Sequence, residues 1–303
     1  MTAHAGEISL HRKSEAGEDM DASTTRMFSL DGKTAVVTGG GGDICSMLSL
    51  ALSGAGARVA VLDIDRGKAQ VVADSVIKAG GEALAFACDV LDSGSLEKAR
   101  AAVQAAWGTP DILVNGAGGN VPSGSTQVDF LEREQLDNAA ARNFFSLDFE
   151  GVRKTFDLNF LGTLLPTKVF AKAMVERGSG CVLNISSMGA LTPLTQVGAY
   201  SAAKAAVSNF TSWLAVHFAH TGVRVNAIAP GFLMTEQLKF LHIDQKTGEL
   251  TPRARRVMAH TPMGRYGKPE ELAGAVIYLL SDAASFVTGI VLPIDGGFSS
   301  FSI

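Results

Sequence analysis

The 303-residue sequence contains no apolar run approaching the roughly 18 residues that span a bilayer, which predicts no membrane partner. It also lacks any long basic stretch, and its net charge is −4. Nucleic acids and anionic membranes are therefore not expected as partners. Cysteine is scarce, and Cys45, Cys88 and Cys181 are odd in number and widely spaced. That pattern argues against a disulfide framework and for buried thiols in a reducing compartment. Residues 1–27 mix Glu, Asp, Ser, Thr, His and Arg without an apolar core, so they do not read as a secretion signal. They are expected to form a flexible or partner-docked extension of a cytoplasmic protein. No repeat, heptad or low-complexity tract is present.

What is present is an α/β composition: 47% hydrophobic, 18% charged, with 33 glycines. From Phe28 to the C-terminus, short apolar runs alternate with helix-length segments. Lys33–Thr38, Arg58–Leu62, Ala83–Ala87, Asp111–Asn115, Gly180–Ser186, Val223–Ile228 and Ile290–Pro293 read as strands. Ser46–Gly54, Gly67–Ala79, Ser95–Ala106 and Ala199–Thr221 read as helices. Runs without polar alternation indicate strands covered on both faces, the habit of parallel sheets. Repeated β-α units of this length predict a single doubly wound domain over 28–303. Two stretches, about 121–150 and 232–266, follow strands and are too long to be plain connections. Ligands bind beyond the carboxyl ends of such strands, so both are candidate lids or substrate walls.

The first strand runs into Thr38-Gly39-Gly40-Gly41-Gly42-Asp43-Ile44-Cys45. Glycines there let backbone N–H groups approach a pyrophosphate at a helix N-terminus. The second strand ends at Asp63, about twenty residues on, where a dinucleotide fold places a ribose-binding acid. Such an acid repels a 2′-phosphate, and neither Gly42 nor Ile64 is basic, which favours NAD over NADP. Asp65 reads as an understudy for Asp63 or as a helix cap. Farther along, Tyr200 and Lys204 lie four apart in a run of helix formers and share a helix face. A lysine charge beside a phenol favours the phenolate and lowers a pKa that is ordinarily near 10. That pair suits proton exchange with an alcohol oxygen.

Taken together, the glycine loop, Asp63, Asp89 and Val90, Asn115-Gly-Ala-Gly118, Asn159, Ser186-Ser187, Tyr200-x-x-x-Lys204 and Pro230-Gly231 resemble the short-chain dehydrogenase/reductase family. The resemblance covers Phe28 to the C-terminus and implies one Rossmann domain with a seven-stranded parallel sheet. It implies that Gly39, Gly41, Gly42, Asp43, Ile44 and Asp63 meet the cofactor, and that Asp89 and Val90 hold the adenine. Asn115, Ala117, Gly118, Pro230 and Gly231 would line the cofactor, Thr235 would bind the carboxamide, and Tyr200 and Lys204 would also touch the nucleotide. Asn159, Ser187, Tyr200 and Lys204 would be catalytic, with Ser186 the alternative to Ser187 and Asn159 holding a water that links Lys204 to bulk. No metal is implied. The helices Thr155–Arg177 and Ala199–Thr221 resemble subunit-pairing helices, which implies a homotetramer.

Three positions depart from that family's pattern. Asp43 and Cys45 stand where it has glycines, and Gly116 where it has a second asparagine. Asp43 reads as an N-cap turned away from the phosphates, and Cys45 predicts slightly looser helix packing. The wording around Asn115–Asn120, Phe156–Pro166, Trp213–Phe218 and Ala259–Arg265 is similar to a subgroup of D-mannonate oxidoreductases, or fructuronate reductases. It implies a hexuronate-type polar alcohol/ketone as substrate, bound by groups such as Asn120, Gln196, Gln237 and His260. Each of these could equally cap a loop. Arg142, Arg153, Arg256 and Arg265 are the candidate partners of a substrate carboxylate. Another sugar, an acyl ketone or a cyclic alcohol is the alternative substrate, and a non-catalytic dinucleotide sensor the alternative function.

Overall fold

The computed structural model describes residues 23–136, 141–244 and 247–302. Residues 1–22 of the expected extension lie outside them, and residues 23–27 are helical. Seven strands form one sheet: β1 Thr34–Thr38, β2 Arg58–Asp63, β3 Ala83–Ala87, β4 Ile112–Asn115, β5 Gly180–Ile185, β6 Val223–Pro230 and β7 Val291–Ile294. Their order is β3-β2-β1-β4-β5-β6-β7, and every pairing is parallel. The chain reverses its direction of growth between β1 and β4. That switch point is where an open α/β sheet leaves a crevice beyond its strand ends.

Apolar alternation within buried strands explains the two layers of helix. Ala35 and Val37 of β1, with Val59 and Val61 of β2, face α1 (Asp43–Gly54) and α9 (Ala273–Leu280) through Leu48, Leu52, Val276 and Leu279. Val36 and Leu62 face the other way, against α3 (Ser93–Trp107), α5 (Gly162–Arg177) and α6 (Gly198–His217) through Leu96, Phe170, Met174 and Leu214. Helix starts carry their own signals. Asp65 caps α2 (Arg66–Lys78) by accepting from Gly67 and Lys68 N–H, so it is a cap and not an understudy. Asp92 caps α3, and Asp148 caps α4 (Phe149–Phe156).

The predicted helix Thr155–Arg177 begins earlier and is interrupted. A π-turn over Asp157–Leu161 joins α4 to α5. Pro166 removes one amide donor just beyond it. Among the described residues no helix is long and apolar enough to cross a membrane.

Segment 121–150 folds back on α4, where Gly124 and Gly151 meet backbone to backbone. A Cβ on Gly124 would stand 2.6 Å from the Gly151 carbonyl carbon. Segment 232–266 carries α7 (Glu236–His242) and α8 (Pro252–His260) around a small core of Ala254, Val257 and Tyr266, with Phe232 and Met258 packed on it. His242 is buried there, its Nδ1 2.7 Å from Tyr266 Oη. Burial, with Arg253 adding to it, holds the imidazole below its usual value of 6.5. The folded segment thus favours neutral His242. That stabilisation is complete above about pH 6.5 and is lost as the pH falls below it. Scanning calorimetry should therefore show a larger fall in melting temperature from pH 7 to about 5.5 in the wild type than in His242→Asn. Equal falls would contradict the account.

Candidate active site

The carboxyl ends of β1 through β6 surround a cleft of about 560 Å³. Gly39, Gly41, Gly42, Asp43 and Ile44 form one wall, with Asp63 behind them. Asp89, Val90, Ala117 and Gly118 continue it, and Pro230, Gly231 and Thr235 face them. Ser187, Tyr200 and Lys204 lie at the remaining side.

The glycines are required by contact as well as by conformation. A Cβ on Gly39, whose φ is +61°, would stand 2.7 Å from Ala117 Cα, and one on Gly41 2.6 Å from Lys68 Cβ. Asp63 Oδ2 accepts from Gly41 N–H at 3.0 Å and Oδ1 from Asp65 N–H at 2.9 Å. Its carboxylate is thereby fixed at the loop with lone pairs to spare. A side-chain-free loop at a helix start, beside an oriented acid, fits the phosphates and ribose of a dinucleotide. The group would be held by the backbone of Gly39–Ile44 and by Asp63, Asp89 and Val90.

Lys204 is buried, at 3% exposure, and Nζ donates to the Ile185 carbonyl at 2.7 Å. Burial pulls its pKa down to about 8. Nζ lies 5.8 Å from the Tyr200 ring centroid. The expected lowering of the Tyr200 pKa by Lys204 is not found in the chain alone. Burial of the hydroxyl raises it, and the hydrogen bond with Ser187 only partly opposes this. The physical reason is position: the ammonium lies over the ring and is spent on a carbonyl. Ser186, the alternative to Ser187, is committed elsewhere, donating to the Lys204 carbonyl at 3.1 Å and lying 2.7 Å from Ser208 Oγ.

Other expectations are corrected. Asn115 is not on the cleft wall; it is buried and donates to Thr167 Oγ1 and Asn184 Oδ1. Asn159 sits in the π-turn with both amide hydrogens committed, to the carbonyls of Gly119 and Thr155. Its Oδ1 accepts from Gly119 N–H, so only a remaining lone pair could meet a water. A Cβ on Gly118 would lie 2.8 Å from that Oδ1 and 3.1 Å from Lys204 Nζ, which places both groups at Gly118.

Asp43 is not an N-cap. Gly42 occupies that position without a side-chain bond, and Asp43 Oδ2 instead accepts from Glu236 N–H at 3.0 Å. Asn120 pairs with Ser125, Gln196 with Asp129, and His260 meets Phe298 and Phe301 edge to face, all away from the cleft wall. The Gln237 side chain lies outside the described residues. Each candidate arginine is engaged: Arg142 with the carbonyls of Pro122 and Ser125, Arg153 with Glu150, Arg256 with Asp129 and Arg265 with Glu271. Asp129 also joins the two long segments, because Arg256 belongs to α8. Gln196, bonded to the same carboxylate, holds a left-handed φ of +70°.

Sequence reading missed the apolar part of the cleft, which consists of Leu158, Met188, Leu194, Phe232 and Leu238, and the lysine at its nucleotide end, Lys68. It also treated Cys45 and Gly116 as separate departures. Cys45 is buried, and a Cβ on Gly116 would collide with its Sγ. The sulfur, together with the Thr38 carbonyl oxygen at 2.9 Å, occupies the space that a residue larger than glycine at 116 would need, so packing there is filled and not loosened. Burial also pushes this thiol up to about 12, leaving it protonated. Gly116→Ala is expected to cost about 2 kcal/mol. In Cys45→Ala/Gly116→Ala, denaturant midpoints should reveal a favourable coupling of about 1 kcal/mol; strict additivity would contradict the shared space.

The family model described as enoyl-(acyl carrier protein) reductase, of the short-chain dehydrogenase type, matches residues 43–299. An uncharacterized oxidoreductase of Haemophilus influenzae is 47% identical over 275 residues, 90% of this chain and 95% of that protein. The 7alpha-hydroxysteroid dehydrogenase of Escherichia coli strain K12 is 32% identical over 88% of this chain and 94% of its own length. A Haemophilus structure with bound NAD, provisionally named a D-mannonate oxidoreductase, superposes with a TM-score of 0.86 at 45% identity, covering 92% of this chain and 99% of that one. With its glycine cradle, acid and Ser–Tyr–Lys cluster at the strand ends, this chain belongs to the short-chain dehydrogenase/reductase family and is an NAD(P)-dependent oxidoreductase acting on CH–OH groups.

Proposed function

We propose that the chain is an NAD-dependent dehydrogenase/reductase of sugar acids, with D-mannonate and D-fructuronate as the pair to test. The observation that carries the chemistry is the Ser187–Tyr200–Lys204 cluster on the wall of a dinucleotide-shaped cleft. The sugar-acid reading is supported by the likeness to the provisionally named D-mannonate oxidoreductase over nearly the whole chain. Cytoplasmic residence and a homotetramer belong to the same reading. The apolar wall of Leu158, Met188, Leu194, Phe232 and Leu238 favours a second one, a less polar secondary alcohol.

When bound, the nicotinamide supplies or accepts the hydride and, oxidised, adds a positive charge to the cleft. The chain's own residues manage the proton. Tyr200 Oη donates to the carbonyl oxygen in reduction and recovers the proton in oxidation. Ser187, bonded to the same hydroxyl, orients that oxygen. Lys204, fixed on the Ile185 carbonyl, gives the phenolate a buried cation nearby. Asn159 acts through position, holding Gly118 and Gly119 against Lys204.

At the nucleotide end Asp63 opposes a 2′-phosphate, and Lys68 on the same wall is the cation that tempers this preference. Asp63→Ala should therefore improve the NADP-to-NAD ratio of kcat/KM by at least about tenfold, equivalent to ~1.4 kcal/mol. An unchanged ratio would remove Asp63 from that role.

Because burial raises the Tyr200 pKa, its phenol is protonated at neutrality. Ketone reduction should hold its rate near neutral pH, whereas alcohol oxidation should climb as the pH rises and phenolate forms. Tyr200→Phe should lose at least about a hundredfold in kcat while still binding dinucleotide by calorimetry. Turnover near wild type would refute the assignment. Following NADH absorbance with D-mannonate, other hexonates and a hydroxysteroid separates the two substrate readings; turnover of the steroid alone would overturn the sugar-acid one.

A further inference from the structure

Asp43 opens α1 where a carboxylate facing a pyrophosphate would be repelled, yet it lines the cleft together with Thr235 and Leu238 of the α7 turn. Its Oδ2 accepts from Glu236 N–H at 3.0 Å, across 193 residues of sequence. Helix α7 has seven residues, too few to persist on their own. Its first N–H groups have no intrahelical acceptor. Thr235 Oγ1 takes the one on Leu238 at 3.3 Å, and Asp43 takes the one on Glu236. Lys239, one turn on, is paired with Glu236 at 2.6 Å and also feels the Asp43 charge.

From this geometry we infer that Asp43 is a positioning residue that fastens α7 to the glycine loop, so that dinucleotide binding and ordering of α7 are coupled. The carboxylate is turned to α7 and away from its own helix. That resolves how an acid is tolerated beside the phosphates. Dinucleotide contacts that order the glycine loop order Asp43 with it, and through Glu236 N–H the start of α7. The inference needs the dinucleotide site, which the family supplies, but not the choice of substrate.

Two substitutions remove the same bond from opposite ends. Asp43→Gly deletes the acceptor. Glu236→Pro deletes the donor at the first helical position, which proline tolerates, and Thr235 before it is already extended at φ −93° and ψ 165°. Asp43→Asn and Glu236→Ala keep acceptor and N–H respectively. Limited proteolysis of the full chain should cut within segment 232–266 about fivefold faster in D43G and in E236P, and near the wild-type rate in D43N and E236A. D43G/E236P should be no faster than either single variant. Saturating NAD should slow cleavage in the wild type but not in D43G, although calorimetry still registers bound NAD there. D43N as fast as D43G, multiplied effects in the double variant, or equal protection of D43G by NAD would each overturn the coupling. None of these readouts uses a substrate, so failure of the sugar-acid reading would leave them intact.

Discussion

An ammonium held out of water at the carboxyl end of a parallel sheet is the constraint on which this site depends. Burying Lys204 is unfavourable unless its charge finds partners. Its Nζ finds the Ile185 carbonyl at the end of β5, while Ser186 bonds the Lys204 carbonyl and pins α6 to the same strand end. The cost appears as a pKa pulled down to about 8. Because α6 is fixed by these bonds, Tyr200, one turn earlier, is set beside Ser187 on the cleft wall. The phenol is then desolvated as well, and its raised pKa makes it a proton donor at neutrality. In the chain alone burial outweighs the Ser187 hydrogen bond, so a phenolate there needs a further positive charge.

The departures from the family's usual residues make sense as pairs of distant positions. Cys45 and Gly116 exchange volume across the α1–β4 junction. Asp43 gives up capping its own helix and meets Glu236 on the other side of the cleft. The two long segments are likewise tied by Asp129, which reaches Arg256 at 2.9 Å and Gln196 at 3.0 Å. The first two arrangements lie at the cleft wall and the third ties the segments outside it, which is how loops vary on a constant scaffold.

Much of the fold was legible in the sequence because buried parallel strands are continuous apolar runs. Ala83–Ala87 is a strand as expected, Thr34–Thr38 starts one residue later than expected, and β6 extends two residues past Ile228 to Pro230. The glycine loop, Asp63 and the Tyr200–Lys204 pair were legible because local spacing alone places them. Asn115, Gln196 and His260 were not, because their polar or aromatic groups are consumed by partners brought together only by the fold: Asn184 for Asn115, Asp129 for Gln196, and Phe298 and Phe301 for His260. The π-turn holding Asn159 gave no periodic signal, since its neighbours remain helical on both sides.

The most direct test is to titrate tyrosinate absorbance in the wild type and in Lys204→Met, with and without oxidised dinucleotide. Three tyrosines, Tyr200, Tyr266 and Tyr278, are few enough to resolve one that moves. Adding the oxidised dinucleotide to the wild type should bring one tyrosine's ionisation to markedly lower pH, and Lys204→Met should lose most of that movement. A titration that the dinucleotide leaves unchanged, or one that moves equally without the lysine, would contradict the account.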